Sequence, residues 1–170
     1  MAQATSAAQD GLGEELESQQ LRVVLSHFLD TARPPLVVAA SAIFRANKIV
    51  YGKMATALSS LDLAPDRYQV LGMLANSPGG KMSLSDLGRA VLLHPATTTY
   101  TVDTLEKRGF VKREPDPRDR RGVLAKVTPA GREIVKKATK LLESIDWGLG
   151  ELDDADAQAL AVTLSRLHPS

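Results

Sequence analysis

The stretch Ser83-Leu-Ser-Asp-Leu-Gly-Arg-Ala-Val-Leu-Leu-His-Pro-Ala-Thr-Thr-Thr-Tyr-Thr-Val-Asp-Thr-Leu-Glu-Lys-Arg-Gly-Phe-Val-Lys-Arg113 decides how the rest of this chain is read. Ser83 and Asp86 have the spacing of a capping box, with Asp in place of the usual Glu. A short helix from Leu84 to about Ala90 is expected after them. His94-Pro95 opens a second helix, since proline at the first helical position lacks only an N–H that would have had no partner. That helix runs to Arg108, and Gly109 supplies its C-terminal cap. At about 3.6 residues per turn, Thr98, Val102 and Leu105 share one side, the core side. Ala96, Tyr100, Asp103 and Lys107 point roughly opposite, with Thr99 and Thr104 flanking.

Downstream the periodicity changes. Phe110 to Glu114 and Gly122 to Thr128 are short, and Val123, Ala125 and Val127 alternate, which reads as a two-stranded ribbon. Its connection is Pro115-Asp-Pro-Arg-Asp-Arg-Arg121. Thr128-Pro129 caps a helix expected to reach about Trp147, where Gly148 and Gly150 break it. Asp153 or Asp154 starts a last helix with a stripe of Ala157, Leu160, Leu164 and Leu167. Upstream, residues 1–13 are small and polar and read as a frayed tail. A helix is expected from about Glu14 to Asp30, marked by Leu16, Val23 or Val24, and Phe28. Pro34-Pro35 stops it, because proline disfavours helix in the residue before it. A long helix then runs from Leu36 to about Ser59, with one stripe of Leu36, Ala40, Ile43, Val50, Met54 and Leu58. Pro65 begins another, whose inner face holds Tyr68, Leu71, Gly72, Leu74 and Ala75, and Asn76 to Gly80 is a strong stop.

Helix, short helix, tight turn, longer helix and ribbon together make a winged helix-turn-helix. The expected fold is mainly α with a small β-ribbon, flanked by N- and C-terminal dimerisation helices. The chain divides into a flexible N-terminal tail (1–13), N-terminal helices for dimerisation (14–62), a winged helix-turn-helix lobe (63–128) and C-terminal dimerisation helices (129–170). Dimerisation also follows from apolar faces at opposite chain ends, which one small lobe gives little to pack on.

A helix of this width fits the major groove of B-DNA, and a ribbon beside it can lie along the backbone or in the minor groove. Five threonines between Thr97 and Thr104 are unusual for a helix, because a branched Cβ loses rotamer freedom there. Exposed on a recognition helix they offer hydroxyls to bases and phosphates and methyls to thymine. Charge supports this placement. The segment from Glu106 to Lys126 holds eight bases and four acids, a net +4, whereas the rest of the chain nets −3. The expected DNA contacts are Ser83, Ser85, Pro95, Ala96, Thr97, Thr99, Tyr100, Thr104, Lys107, Arg118 and Arg120. Asp103 would repel phosphate and is expected to pair with a nearby arginine. The alternative is a winged-helix protein-interaction module without DNA binding, for which a basic wing has no use.

The whole chain has 170 residues, a formal net charge of +1, 44% hydrophobic residues and no cysteine. Cysteine-free sequence excludes a disulfide scaffold, a Cys-ligated zinc site and a thiol switch. Aromatic content of 4% argues against a base-stacking platform for single strands. Met1 to Gln20 carries four acids and no base, unlike a secretory signal, and Leu36 to Phe44 is too short to span a bilayer. A cytoplasmic protein without a membrane partner is expected. His27, His94 and His168 are scattered and form no metal spacing. Walker, Gly-x-Ser-x-Gly and Gly-x-Gly-x-x-Gly motifs are absent. No cofactor, metal or catalytic residue is expected, and the chain is read as not an enzyme.

Residues 81–131 resemble the DNA-binding core of the multiple-antibiotic-resistance regulator (MarR) family. The matching pieces are Leu84-Ser-Asp-Leu-Gly-Arg89, Pro95-Ala-Thr97, Val102 through Arg113, Asp116-Pro-Arg-Asp-Arg-Arg121 and Val127-Thr-Pro-Ala-Gly131. With the flanking helices the resemblance covers roughly residues 14–168. It implies a homodimeric transcriptional repressor whose recognition helices enter successive major grooves of a pseudopalindromic operator. It also implies a wing-tip arginine in the minor groove, here Arg118 or Arg120, and a wing held in shape by Asp116 and Arg121. A small effector, often an aromatic acid or phenol, would bind between the dimerisation helices and the DNA-binding lobe and weaken DNA binding. His27, Arg45, Lys48, Tyr51 and Tyr68 are the candidate effector contacts, and Arg45 or Lys48 could hold a carboxylate or phenolate. The sequence departs from the family at His94, commonly a hydroxyl cap, and at Tyr100 and Thr104, where many members have arginines.

Overall fold

The protein is described by a computed structural model covering residues 34–117 and 119–167. The helix expected from Glu14 to Asp30 lies outside the described residues. Two compact units divide the chain, residues 1–49 and 50–170. Helix α1 (Pro34–Leu58) runs from the first into the second, and its two prolines sit in its first turn rather than ahead of it. Within residues 34–49, Val38 is buried, while Leu36, Ile43, Phe44 and Ile49 are exposed.

The second unit continues with α2 (Pro65–Asn76), β1 (Lys81–Ser83), α3 (Leu84–Ala90), α4 (Pro95–Lys107), β2 (Val111–Asp116), β3 (Asp119–Val127), α5 (Pro129–Glu143) and α6 (Asp154–Leu164). Single-turn 3-10 helices occupy Ser59–Leu61, Pro78–Gly80 and Asp146–Gly148. The apolar faces of α2, α3, α4, α5 and the sheet meet in one core. Leu58, Val70, Leu71, Leu74, Leu87, Val102, Leu105 and Leu142 are fully buried there. Each such side chain stabilises the fold by about 1.5–3 kcal/mol relative to exposure.

Three sequence expectations need correction. The sheet has three antiparallel strands in the order β1-β3-β2, not two. β1 pairs Lys81 with Lys126, Met82 with Ala125 and Ser83 with Leu124. Three residues are too few to show an alternation, so the strand left no signal of its own. The connection between the ribbon strands is also much shorter than Pro115–Arg121. β2 continues through Pro115 and Asp116, and β3 already begins at Asp119. Proline fits because β2 is an edge strand, where a missing N–H interrupts no ladder on the open side, and the register slips beside it. Finally, α5 stops at Glu143 and does not reach Trp147. Asp146 and Trp147 both have positive φ, 48° and 56°, which turns the chain. Trp147 thereby leaves the helix and tilts its ring against Tyr68, with centroids 6.1 Å apart.

The two helices of the helix-turn-helix are joined through a close contact. A Cβ added at Gly88 would lie 2.8 Å from the Thr98 hydroxyl and 3.2 Å from the Leu93 carbonyl oxygen. Thr98 is itself buried, and its hydroxyl donates to the His94 carbonyl at 3.2 Å, so it has no room to retreat. At the other end of α4, Arg113 on β2 forks onto two carboxylates. Its Nη2 meets Asp103 at 2.5 Å, its Nη1 meets Glu106 at 2.5 Å, and its backbone N–H donates to the second Glu106 oxygen at 3.0 Å. Arg108 then ties the end of α4 to the segment after α1, donating to the carbonyls of Asp62 and Leu61 and lying over the Phe110 ring.

Three variants test this packing. Gly88→Ala is expected to lower unfolding free energy by about 1–3 kcal/mol through overpacking. Gly72→Ala, where a Cβ meets nothing within 4 Å, should instead raise it by about 0.5–1 kcal/mol. Urea denaturation of both variants gives the comparison. Arg113→Met leaves Asp103 and Glu106 facing each other without their cation, and should cost about 1–2 kcal/mol in the same assay.

Candidate nucleic-acid interface

The exposed face of α4 begins at its N-terminus. His94 caps it, its Nδ1 accepting the Ala96 N–H at 3.3 Å, which is how a non-hydroxyl residue serves this position. Pro95, Ala96, Thr97, Thr99 and Tyr100 are all exposed, Tyr100 by 66%. Thr98, Thr101, Val102 and Leu105 are buried beneath them. Burial of Thr98, Thr101, Val102 and Leu105 holds the threonine-rich sequence as a helix, and its exposed hydroxyls are accommodated by bonding back to the preceding turn. Thr99 donates to the Pro95 carbonyl at 3.0 Å and Thr104 to the Tyr100 carbonyl at 2.9 Å. Each oxygen retains acceptor capacity. Thr104 is half-buried and Lys107 exposed further along the helix.

Ser83 and Ser85 lie at the start of α3. Ser83 is occupied as the helix cap, accepting the Asp86 N–H at 3.0 Å and donating to the Asp86 carboxylate at 2.7 Å. This differs from the reciprocal capping box, because the shorter Asp engages the Ser hydroxyl rather than its backbone N–H. Ser85 is exposed. Beside them Arg89 pairs with Asp86.

The basic ribbon is the second component. Lys81 and Lys112 stand opposite Lys126 on either side of β3, so three lysines share one row across the sheet. Glu114 bridges two of them, at 2.8 Å from Lys112 and 3.4 Å from Lys126, and these pairings hold its carboxyl below the usual value. The row was not foreseen, because it needs β1, which the sequence did not show. Asp116 is half-buried and stands opposite Asp119 where β2 and β3 meet the hairpin turn. Arg120 and Arg121 belong to β3, but their side chains, and Arg118 altogether, lie outside the described residues.

Four of the five candidate effector residues are among the described residues. His27 is outside the described residues. Arg45 and Lys48 are exposed on α1, where they line an open depression of about 430 Å³ with Phe44 and Ile49. Tyr51 is exposed and donates to Asp66 at 3.3 Å, while burial and that carboxylate push its phenol above the usual value. Tyr68 is buried, with its hydroxyl 3.0 Å from that of Thr139, and behaves as a core tyrosine. A cleft of about 460 Å³ between the end of α1 and the 145–151 turn was missed. Lys53 crosses it to Glu151 at 2.6 Å, a pairing across 98 positions that no local spacing reveals. Among the described residues no group of acids and histidines could hold a metal ion, and no helix is long and apolar enough to cross a membrane.

Comparisons with known proteins agree with this architecture. A family model described as the MarR family matches residues 61–122. The crystal structure of Sco5413, a MarR family transcriptional regulator from Streptomyces coelicolor, is similar at 33% identity and a TM-score of 0.72, over 78% of this chain and 91% of that one. Sco3205, a MarR family regulator from the same organism solved in complex with DNA, shares the fold at 24% identity and a TM-score of 0.69, over 82% and 91% of the two chains. YkoM, an uncharacterized HTH-type transcriptional regulator of Bacillus subtilis, is 38% identical over 73 residues, 43% of this chain, and the chain spans under half of YkoM at 46%. Identity of 33% to Sco5413 with 91% of that chain covered establishes that this chain belongs to the MarR family of DNA-binding transcriptional regulators.

Proposed function

We propose that the chain acts as a homodimeric repressor that places α4 in the major groove of a pseudopalindromic operator and its wing on the backbone and in the minor groove. The observation that bears most weight is the exposed, hydroxylated first half of α4 beside a net-positive ribbon. Thr97, Thr99 and Tyr100 are the base-reading candidates, with Pro95, Ala96 and Thr104 on the same helix. Ser85 and Lys107 are phosphate contacts, Ser83 is less suited to that role because its one hydroxyl proton is already given to Asp86, and Arg118 and Arg120 serve the wing. Asp116 and Arg121 keep the hairpin in shape. Asp103 does not oppose DNA in this reading, since Arg113 neutralises it.

Dimerisation is supported by apolar side chains that stand exposed among the described residues. On α1 these include Leu36, Ile43 and Phe44, and near the C-terminus Leu160, Val162 and Leu167. A dimer bound across an operator blocks polymerase by occupancy, which makes repression the simplest outcome. Release by a small anionic or phenolic effector rests on Arg45 and Lys48, whose cations flank apolar Phe44 and Ile49. Tyr68 is less suited to that role because its hydroxyl already has a partner.

Gel-shift titrations over a range of salt test the DNA reading. Arg118→Ala with Arg120→Ala should weaken binding to all duplexes and flatten the salt slope by about one or two phosphate contacts. Wild-type affinity in that double variant would remove the wing from the interface. Substituting Thr97, Thr99 or Tyr100 should change which sequences are preferred in a binding selection, by about 1–3 kcal/mol per altered base contact. Unchanged preference in all three would mean that α4 does not read bases. A protein-interaction module would enrich no duplex at moderate salt.

A further inference from the structure

Leu92 lies in the turn between α3 and α4, and two independent observations set it apart. Its backbone is left-handed, with φ at 54°, a region that glycine or asparagine enters with far less strain than a branched apolar residue. Its side chain is 72% exposed, so no burial offsets that strain. The turn conformation does not depend on the side chain. It is held by the backbone, with the Leu93 N–H donating to the Gly88 carbonyl at 2.9 Å and the Val91 N–H to the Leu87 carbonyl at 3.1 Å. Folding alone would favour glycine here.

The side chain borders a shallow groove of about 490 Å³ that crosses from α3 to α4. Leu84, Ser85 and Arg89 form one wall, and Pro95 and Thr99 form the other. Pro95 and Thr99 belong to the same exposed first turns of α4 that the repressor reading sets into the major groove. The groove therefore continues that surface, and Leu92 stands at its edge beside the helix N-terminus.

We propose that Leu92 is a further DNA contact of this protein, an apolar one that packs on duplex DNA where α4 enters the groove. The apolar chemistry available there is the thymine methyl in the major groove and the deoxyribose carbons at its rim. The inference rests on the DNA-binding reading above. It explains why a strained, solvent-facing leucine occupies a turn that glycine would fit better.

The test separates stability from binding. Wild type, Leu92→Gly, Leu92→Asn and Leu92→Met are compared by thermal melting and by fluorescence anisotropy on a duplex selected by the wild-type protein. Leu92→Gly and Leu92→Asn are expected to melt at or above the wild-type temperature yet bind roughly five- to tenfold more weakly. Their plots of log affinity against log salt should run parallel to wild type, since no phosphate contact is lost. Leu92→Met, which stays apolar, should retain most of the affinity. Deoxyuridine in place of thymine distinguishes the two sources. Loss of wild-type affinity alone assigns the contact to methyl groups, and unchanged affinity with a persistent Leu92→Gly defect assigns it to deoxyribose. Wild-type affinity in Leu92→Gly, or weaker binding accompanied by a lower melting temperature, would overturn the proposal. A wild-type protein that binds no duplex would overturn the DNA reading itself, and this contact with it.

Discussion

The approach of α3 to α4 at Gly88 is the constraint on which the helix-turn-helix depends. The Thr98 hydroxyl and the Leu93 carbonyl occupy the space a side chain at position 88 would need. With that contact made, Leu87 and Leu105 reach full burial in the common core. Everything on the opposite face of α4 is then fixed by helical geometry. Pro95, Ala96, Thr97, Thr99 and Tyr100 face outward because Thr98, Thr101, Val102 and Leu105 face in. Preorganisation of the exposed face is thus a consequence of core packing, and Arg113 and Arg108 hold the far end of the helix to its neighbours.

Charge is arranged by the same framework. A chain with a net charge of +1 offers little long-range attraction to DNA as a whole. The fold concentrates what it has. Arg113 consumes the two acids on α4, and Glu114 is shared between Lys112 and Lys126 on the sheet. These internal pairs neutralise carboxylates that would otherwise repel phosphate. The pairing also explains why Arg113, although within the basic segment, is unsuited to a phosphate.

The order of helices was legible in the sequence because its punctuation is strong. Pro65, Ser83, Pro95, Gly109 and Pro129 each mark a boundary that the structure places within a residue or two. The inner and outer faces of α4 were legible from period alone. What was not legible depends on partners distant in sequence. β1 exists only because β3 passes beside it, and the row of Lys81, Lys126 and Lys112 exists only because of β1. The end of α5 was misread because the apolar spacing continues past Glu143, while the reversal at Asp146 and Trp147 is a backbone event without a sequence period. The pairing of Asp103 with an arginine was foreseen, but not which one, nor the addition of Glu106. Of the candidate effector residues, Tyr68 carries the same aromatic signal whether it lines a cleft or, as here, packs in a core.

The central claim is that a pair of α4 helices reads duplex DNA. Hydroxyl-radical footprinting of the purified protein on the DNA flanking its own gene tests it most directly. The account predicts protected segments centred about one helical turn apart, roughly 10–10.5 base pairs, on one face of the duplex. A single unpaired protected patch, or no protection at moderate salt, would contradict it.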